Sequence, residues 1–314
     1  MKLEGIHHIT AVTADARANL DFYARVLGLR LVKKSVNQDD PTAYHLFYGD
    51  EAGSAGADLT FFEYPGASRG RAGGGMAHRI VWRVHDERAL DFWADRLSGE
   101  GIKVAPVERA LSFEDPEGLG LALAVTESTD EPLAAVHPEI PAAVALRGFD
   151  GVRAYAADPE ASRGFLERGL AFVTRAATGN GSDRSTYESR GDRRGSSYAY
   201  DQTDRTGIAG AGTVHHVAWA SRMEDHEAWR RRVSENGGRP TPVIDRYYFR
   251  SIYFREPSGV LFEIATIGPG FTTDEPREHL GERLALPPKF EPLRERLERA
   301  LTPLPNPREQ WIRR

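Results

Sequence analysis

Two pairs of adjacent histidines are the most chemically suggestive residues in this sequence. One pair, His7 and His8, lies in GIHHIT near the start of the chain, and the other, His215 and His216, lies in GTVHHVAW far along it. Both pairs sit on short apolar segments whose alternation is typical of β-strands. Because imidazole is a common ligand of transition metals and a common acid–base group, the repetition indicates a site built from distant parts of the chain.

A carboxylate near the second pair can complete such a site. Glu263 lies between two large apolar residues in VLFEIA, where a carboxylate is poorly solvated and where coordination of a cation would offset the cost of burial. The imidazoles of His8 and His216 with this carboxylate are the ligand set of non-haem iron(II) oxygenases, which leaves positions for substrate and O2. The same set also suits Mn2+, Zn2+ or Ni2+. Addition of Glu63 would give four protein ligands, which is more typical of Lewis-acid chemistry, so the number of ligands stays open.

The elements that must position these residues form a repeat. Leu20, Tyr23 and Leu27 in LDFYARVLG have helical spacing, and LDFWADRL at 90–97 repeats the pattern. A short alternating strand precedes each helix, and three short strands separated by Gly, Asp or Pro turns follow it. Two weaker copies occur later in the chain. The sequence therefore predicts four βαβββ modules, at residues 3–66, 75–127, 146–203 and 212–267.

Comparison of the four modules separates two of them from the other two. FEDPEGLGLAL (113–123) aligns without gaps on FREPSGVLFEI (254–264), and HRIVW aligns on HHVAW. The aligned positions are Ala122 with Glu263, Arg79 with His216, and Gly151 with His8. In module 1 the last strand, DLTFFEY, offers Glu63 as the carboxylate. We therefore predict that modules 1 and 4 carry a metal site and that modules 2 and 3 are scaffold.

Composition excludes several classes of protein. The chain has 314 residues, a net charge of −5 and no cysteine, which excludes disulfides and thiolate ligands and gives no basic surface for nucleic acid. No run of 18 apolar residues is present, and the N-terminus has no apolar signal core, so we expect a cytoplasmic protein without a membrane span. The expected organisation is modules 1 and 2 in residues 1–140, modules 3 and 4 in 141–267, and a tail in 268–314 whose helix packs on the modules.

With these residues in place, the sequence resembles the vicinal-oxygen-chelate superfamily, which includes glyoxalases, bleomycin- and fosfomycin-resistance proteins and extradiol dioxygenases. The whole chain is most similar to the hydroquinone-type ring-cleaving dioxygenases of that superfamily. The resemblance is carried by both histidine pairs and by LVKKSVNQDDPTAYHLFYGD (31–50), IDRYYFRSIYFREPSGVLFEIAT (244–266) and GFTTDEP (270–276). It implies an α+β fold of four modules in two cup-shaped half-barrels, with modules 1 and 4 paired around the metal.

The same resemblance implies roles for individual residues. His8, His216 and Glu263 would bind the metal. His215 matches a residue that moves protons, although strict alternation along a strand would point it away from His216. The residues expected to line the substrate cavity are Arg246, which would steady an anionic oxygen, Tyr253, which would donate a hydrogen bond, and Thr10 and His7, which would contact the substrate. His45, which has no partner in the repeat, is expected to be structural.

These observations predict an Fe(II)-dependent dioxygenase that uses O2 to open a small hydroxylated aromatic ring, with a hydroquinone as the expected substrate and Mn2+ as another candidate metal. Three alternatives stay open. They are a glyoxalase-type isomerase or lyase that binds its metal through His8, Glu63, His216 and Glu263, a thiol transferase, and a metal-free binder of aromatic compounds. Assembly as a homo-oligomer is a further expectation, and partners among nucleic acids or membranes are not expected.

Overall fold

The computed structural model describes residues 1–107, 109–175 and 186–310. The predicted module 3 and the predicted tail therefore each have some residues outside the described part, at 176–185 and 311–314. Within the described residues, no helix is long and apolar enough to span a membrane. The cytoplasmic location and the homo-oligomer stay predictions.

Each predicted module contributes four strands. Module 1 has β1 Ile6–Thr13, β2 Arg30–Val36, β3 Tyr44–Gly49 and β4 Asp58–Glu63; module 2 has β5 Met76–Val84, β6 Ala105–Val107, β7 Ala110–Glu114 and β8 Gly120–Val125. Module 3 has β9 Phe149–Ala156, β10 Val173–Arg175, β11 Thr186–Arg190 and β12 Gly195–Gln202; module 4 has β13 Thr213–Ser221, β14 Ile244–Asp245, β15 Arg250–Arg255 and β16 Leu261–Thr266. The strands fall within the four predicted ranges.

The helices vary more than the strands do. They are α1 Ala16–Leu20, which continues as a π-helical turn Asp21–Val26, α2 Glu87–Gly99, α3 His226–Glu235 and α4 Arg294–Ala300. Asp15 and Asp86 cap α1 and α2 by accepting hydrogen bonds from backbone N–H groups of the first turn. In module 3 the predicted helix is instead a 3-10 turn Pro159–Ser162 and a π-helical turn Phe165–Gly169.

The strands form two eight-stranded sheets. The strand order is β14-β15-β16-β13-β1-β4-β3-β2 in the first sheet and β10-β11-β12-β9-β5-β8-β7-β6 in the second. Modules 1 and 4 thus share the first sheet, joined by the antiparallel pair β1–β13, and modules 2 and 3 share the second, joined by β5–β9. The predicted α+β fold with two half-barrels and paired modules 1 and 4 is confirmed. The division at residues 140 and 267 stays a prediction, and each sheet combines strands from both sides of residue 140.

Packing favours this arrangement because large apolar side chains occupy matching positions in both sheets. Trp219 on β13 and Trp82 on β5 are fully buried, as are Trp93 on α2 and Trp229 on α3. One hydrophobic cluster includes residues of both sheets and of these helices. Burial of such rings is the main driving force for folding, and here it fixes the sheets that carry the site.

The segment after β16 docks on module 1 through a buried cation. Lys33 on β2 is fully buried, and its Nζ donates to the Phe271 carbonyl oxygen at 3.1 Å, to Asp274 Oδ1 at 2.7 Å and to Glu275 Oε2. Removal of one partner from such a buried pair costs about 3–5 kcal/mol. Farther on, Leu297 of α4 is buried in the main core. The tail is therefore tied to the half-barrel formed by modules 1 and 4.

Candidate metal centre

The first histidine of each pair is an extra residue where β1 pairs with β13. The Cα pairs that flank these bulges are Ile6–Trp219 and His8–Ala218 around His7, and Thr10–His216 and Ala11–Val214 around His215. A β-bulge re-aims side chains and interrupts strict alternation. The bulges bring adjacent rings into contact, with Nδ1–Nδ1 distances of 2.9 Å between His7 and His8 and 2.8 Å between His215 and His216.

Three side chains from three strands converge at the centre of this sheet. The Nε2 atoms of His8 and His216 are 3.2 Å apart, and Glu263 Oε2 lies 2.9 Å from His216 Nε2 and 3.3 Å from His8 Nε2. Ligands at right angles around a metal, with bonds of about 2.1 Å, are separated by about 3.0 Å. The spacing of the three atoms therefore fits one face of an octahedral divalent cation.

The chemistry of the carboxylate supports the same fit. Glu263 is fully buried, and among the described residues its Oε2 has no hydrogen-bond partner, whereas Oε1 accepts a hydrogen bond from Ser251 Oγ. Burial alone would raise the pKa of Glu263, but the positive charge that the imidazoles of His8 and His216 carry when they are protonated holds it well below its usual range. A buried, ionised oxygen without a hydrogen bond is costly unless a cation binds it.

His7 fixes the tautomer of His8. His7 Nε2 lies 3.2 Å from the carbonyl oxygen of Thr266, which can only accept, so this nitrogen carries the proton and donates. Burial and the neighbouring His8 lower the pKa of His7 to about 3, so its ring is neutral and its Nδ1 accepts from the N–H at Nδ1 of His8. The lone pair of His8 therefore lies on Nε2, which faces His216 and Glu263. Partners of this kind orient metal ligands.

The ring of His215 contacts His216 as the ring of His7 contacts His8, but the His215 side chain faces the cavity. Its side chain is accessible from the open side of the cavity, but the surrounding cavity wall partly desolvates the imidazole. This desolvation and the neighbouring His216 lower the pKa of His215 to about 4. The ring is therefore neutral at neutral pH. If His216 binds a metal through Nε2, its Nδ1 carries the proton and donates to His215 Nδ1, which leaves the remaining N–H of His215 on Nε2.

A cavity of about 280 Å³ opens above the three converging side chains. Its walls combine aromatic rings with polar groups from modules 1 and 4. Besides the triad, the lining residues that matter below are Asp39, Asp40, His45, Phe47, Phe62, His215, Arg246, Phe249 and Tyr253. A partly open cavity whose wall combines aromatic rings with convergent polar groups is typical of a site for a small ring compound.

Arg246 and Tyr253 form a hydrogen-bonded pair on one wall. Arg246 Nε donates to the Tyr253 hydroxyl at 3.1 Å, and its Nη1 and Nη2 donate to the two oxygens of Asp39, each at 2.8 Å. Burial and the charge of Glu263 raise the pKa of Tyr253 above its usual value, so its hydroxyl stays protonated. The structure thus places both predicted residues in the cavity, with Asp39 as a partner that the sequence did not reveal.

Thr10 and His7 lie behind the cavity wall instead of on it. Thr10 is fully buried, and its hydroxyl is 2.7 Å from that of Thr60, which in turn lies 2.9 Å from His45 Nε2. His45, which the sequence indicated as structural, lines the cavity. A contact between substrate and either Thr10 or His7 stays a prediction, and neither residue is part of the described cavity lining.

Glu63 does not join the site, which corrects the four-ligand alternative. The residue paired with Glu263 on β13 is Ala218, and the residue at the equivalent place in β1 is Thr10, which pairs with Thr60. Thr60 is therefore the true counterpart of Glu263, and Glu63 lies three residues farther along β4. Its Oε1 accepts hydrogen bonds from the backbone N–H of Ala16 and from the Thr302 hydroxyl, both at 3.0 Å.

The sequence did not reveal two residues that hold functional side chains in place by hydrogen bonds. Ser251 holds Glu263, and Asp39 holds Arg246, yet neither occupies a repeated position in the modules. A weak signal existed for Ser251, because it lies two residues before Tyr253 on one face of a strand. Asp39 lies in a loop of module 1 and contacts module 4, so only the folded chain reveals its partner.

Comparison with known proteins agrees with this geometry. The family model described as "Glyoxalase/Bleomycin resistance protein/Dioxygenase superfamily" matches residues 5–123 and 148–264. The chain is 39% identical to the "Putative ring-cleaving dioxygenase MhqA" of Bacillus subtilis, with 97% of this chain and 100% of that protein covered. It is 32% identical to the "Chlorohydroquinone/hydroquinone 1,2-dioxygenase" of Sphingobium indicum, with 96% of each chain covered.

Solved structures show the same fold. The crystal structure of a "putative dioxygenase" from Bacillus subtilis superposes with a TM-score of 0.91 at 40% identity, covering 97% of this chain and 98% of that one. Glyoxalase I from Zea mays superposes with a TM-score of 0.61 at 17% identity, covering 83% and 92% of the two chains, a likeness of fold alone. The chain belongs to the glyoxalase/bleomycin resistance protein/dioxygenase superfamily.

Proposed function

We propose that this protein is an Fe(II)-dependent ring-cleaving dioxygenase that acts on hydroquinones, cleaving beside a hydroxyl-bearing carbon in the extradiol manner. The observation that carries the proposal is the convergence of His8 Nε2, His216 Nε2 and Glu263 Oε2 within 3.3 Å of one another at the base of a cavity with aromatic walls. The name of the Sphingobium relative supports the hydroquinone substrate. Mn2+ is another divalent metal that this ligand set suits.

His8, His216 and Glu263 would hold the metal on one face. When bound there, iron(II) supplies the redox path between an aromatic ring and O2 and leaves positions for both. The protein's own contribution is to fix the three ligands. His7 orients His8, His215 orients His216, and Ser251 orients Glu263, so each ligand is held by one neighbour.

The remaining residues would bind and orient the ring. Phe47, Phe62 and Phe249 provide apolar surface that excludes water, and the Tyr253 hydroxyl, whose oxygen already accepts from Arg246, keeps its own O–H to donate toward an oxygen in the cavity. His215 would take up the proton of the ring hydroxyl. Since its Nδ1 is bonded to His216, its ring must turn away from His216 before that nitrogen can accept a proton.

The test is anaerobic reconstitution with Fe(II), followed by measurement of oxygen uptake with hydroquinone, methylhydroquinone, catechol and chlorinated hydroquinones. We expect uptake with the hydroquinones, ring-opened acids as products, and loss of uptake in His216→Ala. Absence of uptake with every ring would overturn the proposal. Uptake that persists in His216→Ala would overturn the site. The structure does not support the four-ligand isomerase alternative, because Glu63 accepts hydrogen bonds from Ala16 and Thr302 away from the other three residues.

A further inference from the structure

The charged groups of the cavity restrict what a substrate ring can carry. Among the residues that line the cavity in the described part of the chain, Arg246 is the only lysine or arginine, whereas the acidic residues are Asp39, Asp40 and Glu263. The side chains of this wall therefore carry more negative than positive charge. Apart from a metal ion held by His8, His216 and Glu263, whose open positions the ring hydroxyl and O2 would take, the one cation among these lining residues that could receive an anionic ring substituent is Arg246.

The guanidinium of Arg246 has two edges that each present a pair of parallel N–H groups, and both edges already take part in hydrogen bonds. The edge formed by Nη1 and Nη2 holds both oxygens of Asp39 at 2.8 Å, and the Nε–H of the other edge is donated to the Tyr253 hydroxyl. Guanidinium binds carboxylate most strongly through two parallel N–H groups, and no such pair is left for a second carboxylate. The Arg246 side chain is also only 16% exposed, so it has little freedom to present another edge.

The loop that carries Asp39 is itself docked on Arg246. Gln38 Nε2 donates to the Arg246 backbone carbonyl at 2.6 Å, and the Asp39 N–H donates to the Asn37 side chain at 3.0 Å. The chain is therefore held at Gln38, the residue before Asp39, and at the Asp39 N–H itself. An exposed ion pair is usually weak, but a bidentate arginine–carboxylate pair between anchored segments is the favourable exception.

We propose that Asp39 is a specificity-determining residue: by occupying Arg246 it makes the cavity select uncharged hydroquinones and reject hydroquinones whose ring bears a carboxylate. The inference rests on the proposed function for the identity of the ring and goes beyond it in naming the excluded class and the residue responsible. Replacement of Asp39 by a neutral residue would free one donor edge of Arg246. A carboxylate on the ring could then take the place of the Asp39 carboxylate.

Three related rings test this directly: hydroquinone, 2,5-dihydroxybenzoate, which adds a carboxylate, and 2,5-dihydroxybenzamide, which has nearly the same shape without the charge. Equilibrium binding is measured without O2, on Mn(II)-loaded and on metal-free protein. The wild-type protein should bind the benzoate at least about tenfold more weakly than the benzamide, since a charge-assisted hydrogen bond is at stake. Asp39→Asn should raise the affinity for the benzoate, relative to the affinity for the benzamide, by about tenfold.

Two further variants show whether the increased affinity of Asp39→Asn for the benzoate arises from Arg246. Asp40→Asn removes the same charge one residue away in the same cavity. Asp40 accepts hydrogen bonds from Thr42 and none from Arg246. This variant should therefore raise the affinity for the benzoate much less than Asp39→Asn does. Asp39→Asn combined with Arg246→Met should lose the gain. Asp39 is 72% exposed, so its substitution should leave the fold intact, and Asp39→Ser serves as a second neutral variant.

The inference is overturned if the wild-type protein binds the benzoate as tightly as the benzamide, if it binds none of the three rings, or if Asp39→Asn and Asp40→Asn give equal gains. Failure of the proposed function is a separate result, because it would appear as absent oxygen uptake while the binding preference persists.

Discussion

The first half-barrel holds His8, His216 and Glu263 where the second holds Gly151, Arg79 and Ala122. The register is the same in both. His8 pairs with Ala218 as Gly151 pairs with Val81, and the strand that carries Glu263 pairs with β13 as the strand that carries Ala122 pairs with β5. Even the bulges recur, with His78 and Asp150 as the extra residues in the second sheet. The framework that gathers three side chains is therefore present twice, and the residues at the three matching positions differ between the two copies.

The polar groups around Asp201 in the second half-barrel satisfy one another. Asp201 accepts from Arg153 at 2.6 and 2.8 Å and lies 2.7 Å from His78 Nε2, and the His78 ring stacks on Tyr155 with centroids 3.8 Å apart. Although burial opposes it, hydrogen bonds from Arg153 and His78 hold the pKa of Asp201 well below its usual range. In the first half-barrel the buried carboxylate has imidazole lone pairs beside it instead of a guanidinium. The difference indicates a structural second sheet and a metal-binding first one.

The largest expected effect distinguishes the two sheets directly. His216→Ala removes a ligand and should lower the affinity for Fe(II) or Mn(II) by more than the roughly 10- to 100-fold that loss of an outer partner costs. Arg79→Ala, the same change at the matching place in the second sheet, should leave metal content unaltered. Metal analysis of protein reconstituted without oxygen measures both. Equal metal content in the two variants would contradict the assignment.

The next effect concerns the extra residue of each bulge. His7→Phe keeps a ring but removes the hydrogen bond that fixes the His8 tautomer, so the metal affinity should fall by about 10- to 100-fold while the fold persists. Asp150→Ala, at the matching bulge of the second sheet, should not change it. Competition against a coloured chelator gives the two dissociation constants. An unchanged value for His7→Phe would mean that the bulge alone positions His8.

A third effect concerns stability and lies in the turns that lead into the last strands, where Asp115 and Glu256 each accept hydrogen bonds from two backbone N–H groups. Burial raises the pKa of Asp115 to about 6, although hydrogen bonds from Leu119 and Tyr23 oppose the shift. The folded state thus retains a proton that the unfolded chain loses. Stability from this group is present below about pH 4 and is lost as the pH rises to about 6, by about 3 kcal/mol in all.

Asp115→Asn should remove that pH dependence. The difference in unfolding free energy between variant and wild type, measured by denaturant titration at several pH values, cancels the contributions of other groups. It should shift in favour of the variant between pH 4 and 6 and then level off. A difference that does not vary with pH would show that Asp115 titrates normally in the folded protein.

How far the sequence reveals this molecule depends on whether a feature repeats. The strands, the module pairing and the triad could be predicted, because the repeat allowed one half of the chain to be compared with the other. Glu63 was misplaced because it ends the same strand, and a shift of three residues along β4 is invisible without pairing partners. The sequence also could not show that His215 faces the cavity, because alternation fails at a bulge.

Contacts between distant loops were beyond sequence reasoning for a different reason. Asp39 and Arg246 are 207 residues apart, and nothing in the composition of either loop specifies the other. The helix of module 3 was expected from its place in the repeat, and the structure forms a 3-10 turn and a π-helical turn there. In both cases tertiary packing decides what local pattern leaves open.

The smallest expected effect concerns whether the second sheet has space for a metal-binding side chain at the position that matches His8. A Cβ at Gly151, where the first sheet has His8, would lie 1.9 Å from Ser197 Oγ and 2.5 Å from the Ser197 carbonyl oxygen. The hydroxyl can turn away, but the carbonyl belongs to the paired strand β12 and cannot. Gly151→Ala should therefore destabilise the protein by about 1–3 kcal/mol in denaturant unfolding.

Gly99→Ala is the matched control, because nothing lies within 4 Å of its added Cβ and the residue ends helix α2. That change should be neutral or slightly stabilising, since alanine favours the helix over glycine. If Gly151→Ala were equally harmless, the second sheet would have room for a histidine. Its lack of a metal site would then rest on Arg79 and Ala122 alone, and a graft of all three ligands should bind a second metal ion. A costly Gly151→Ala means instead that the backbones of β9 and β12 are too close there for any ligand side chain.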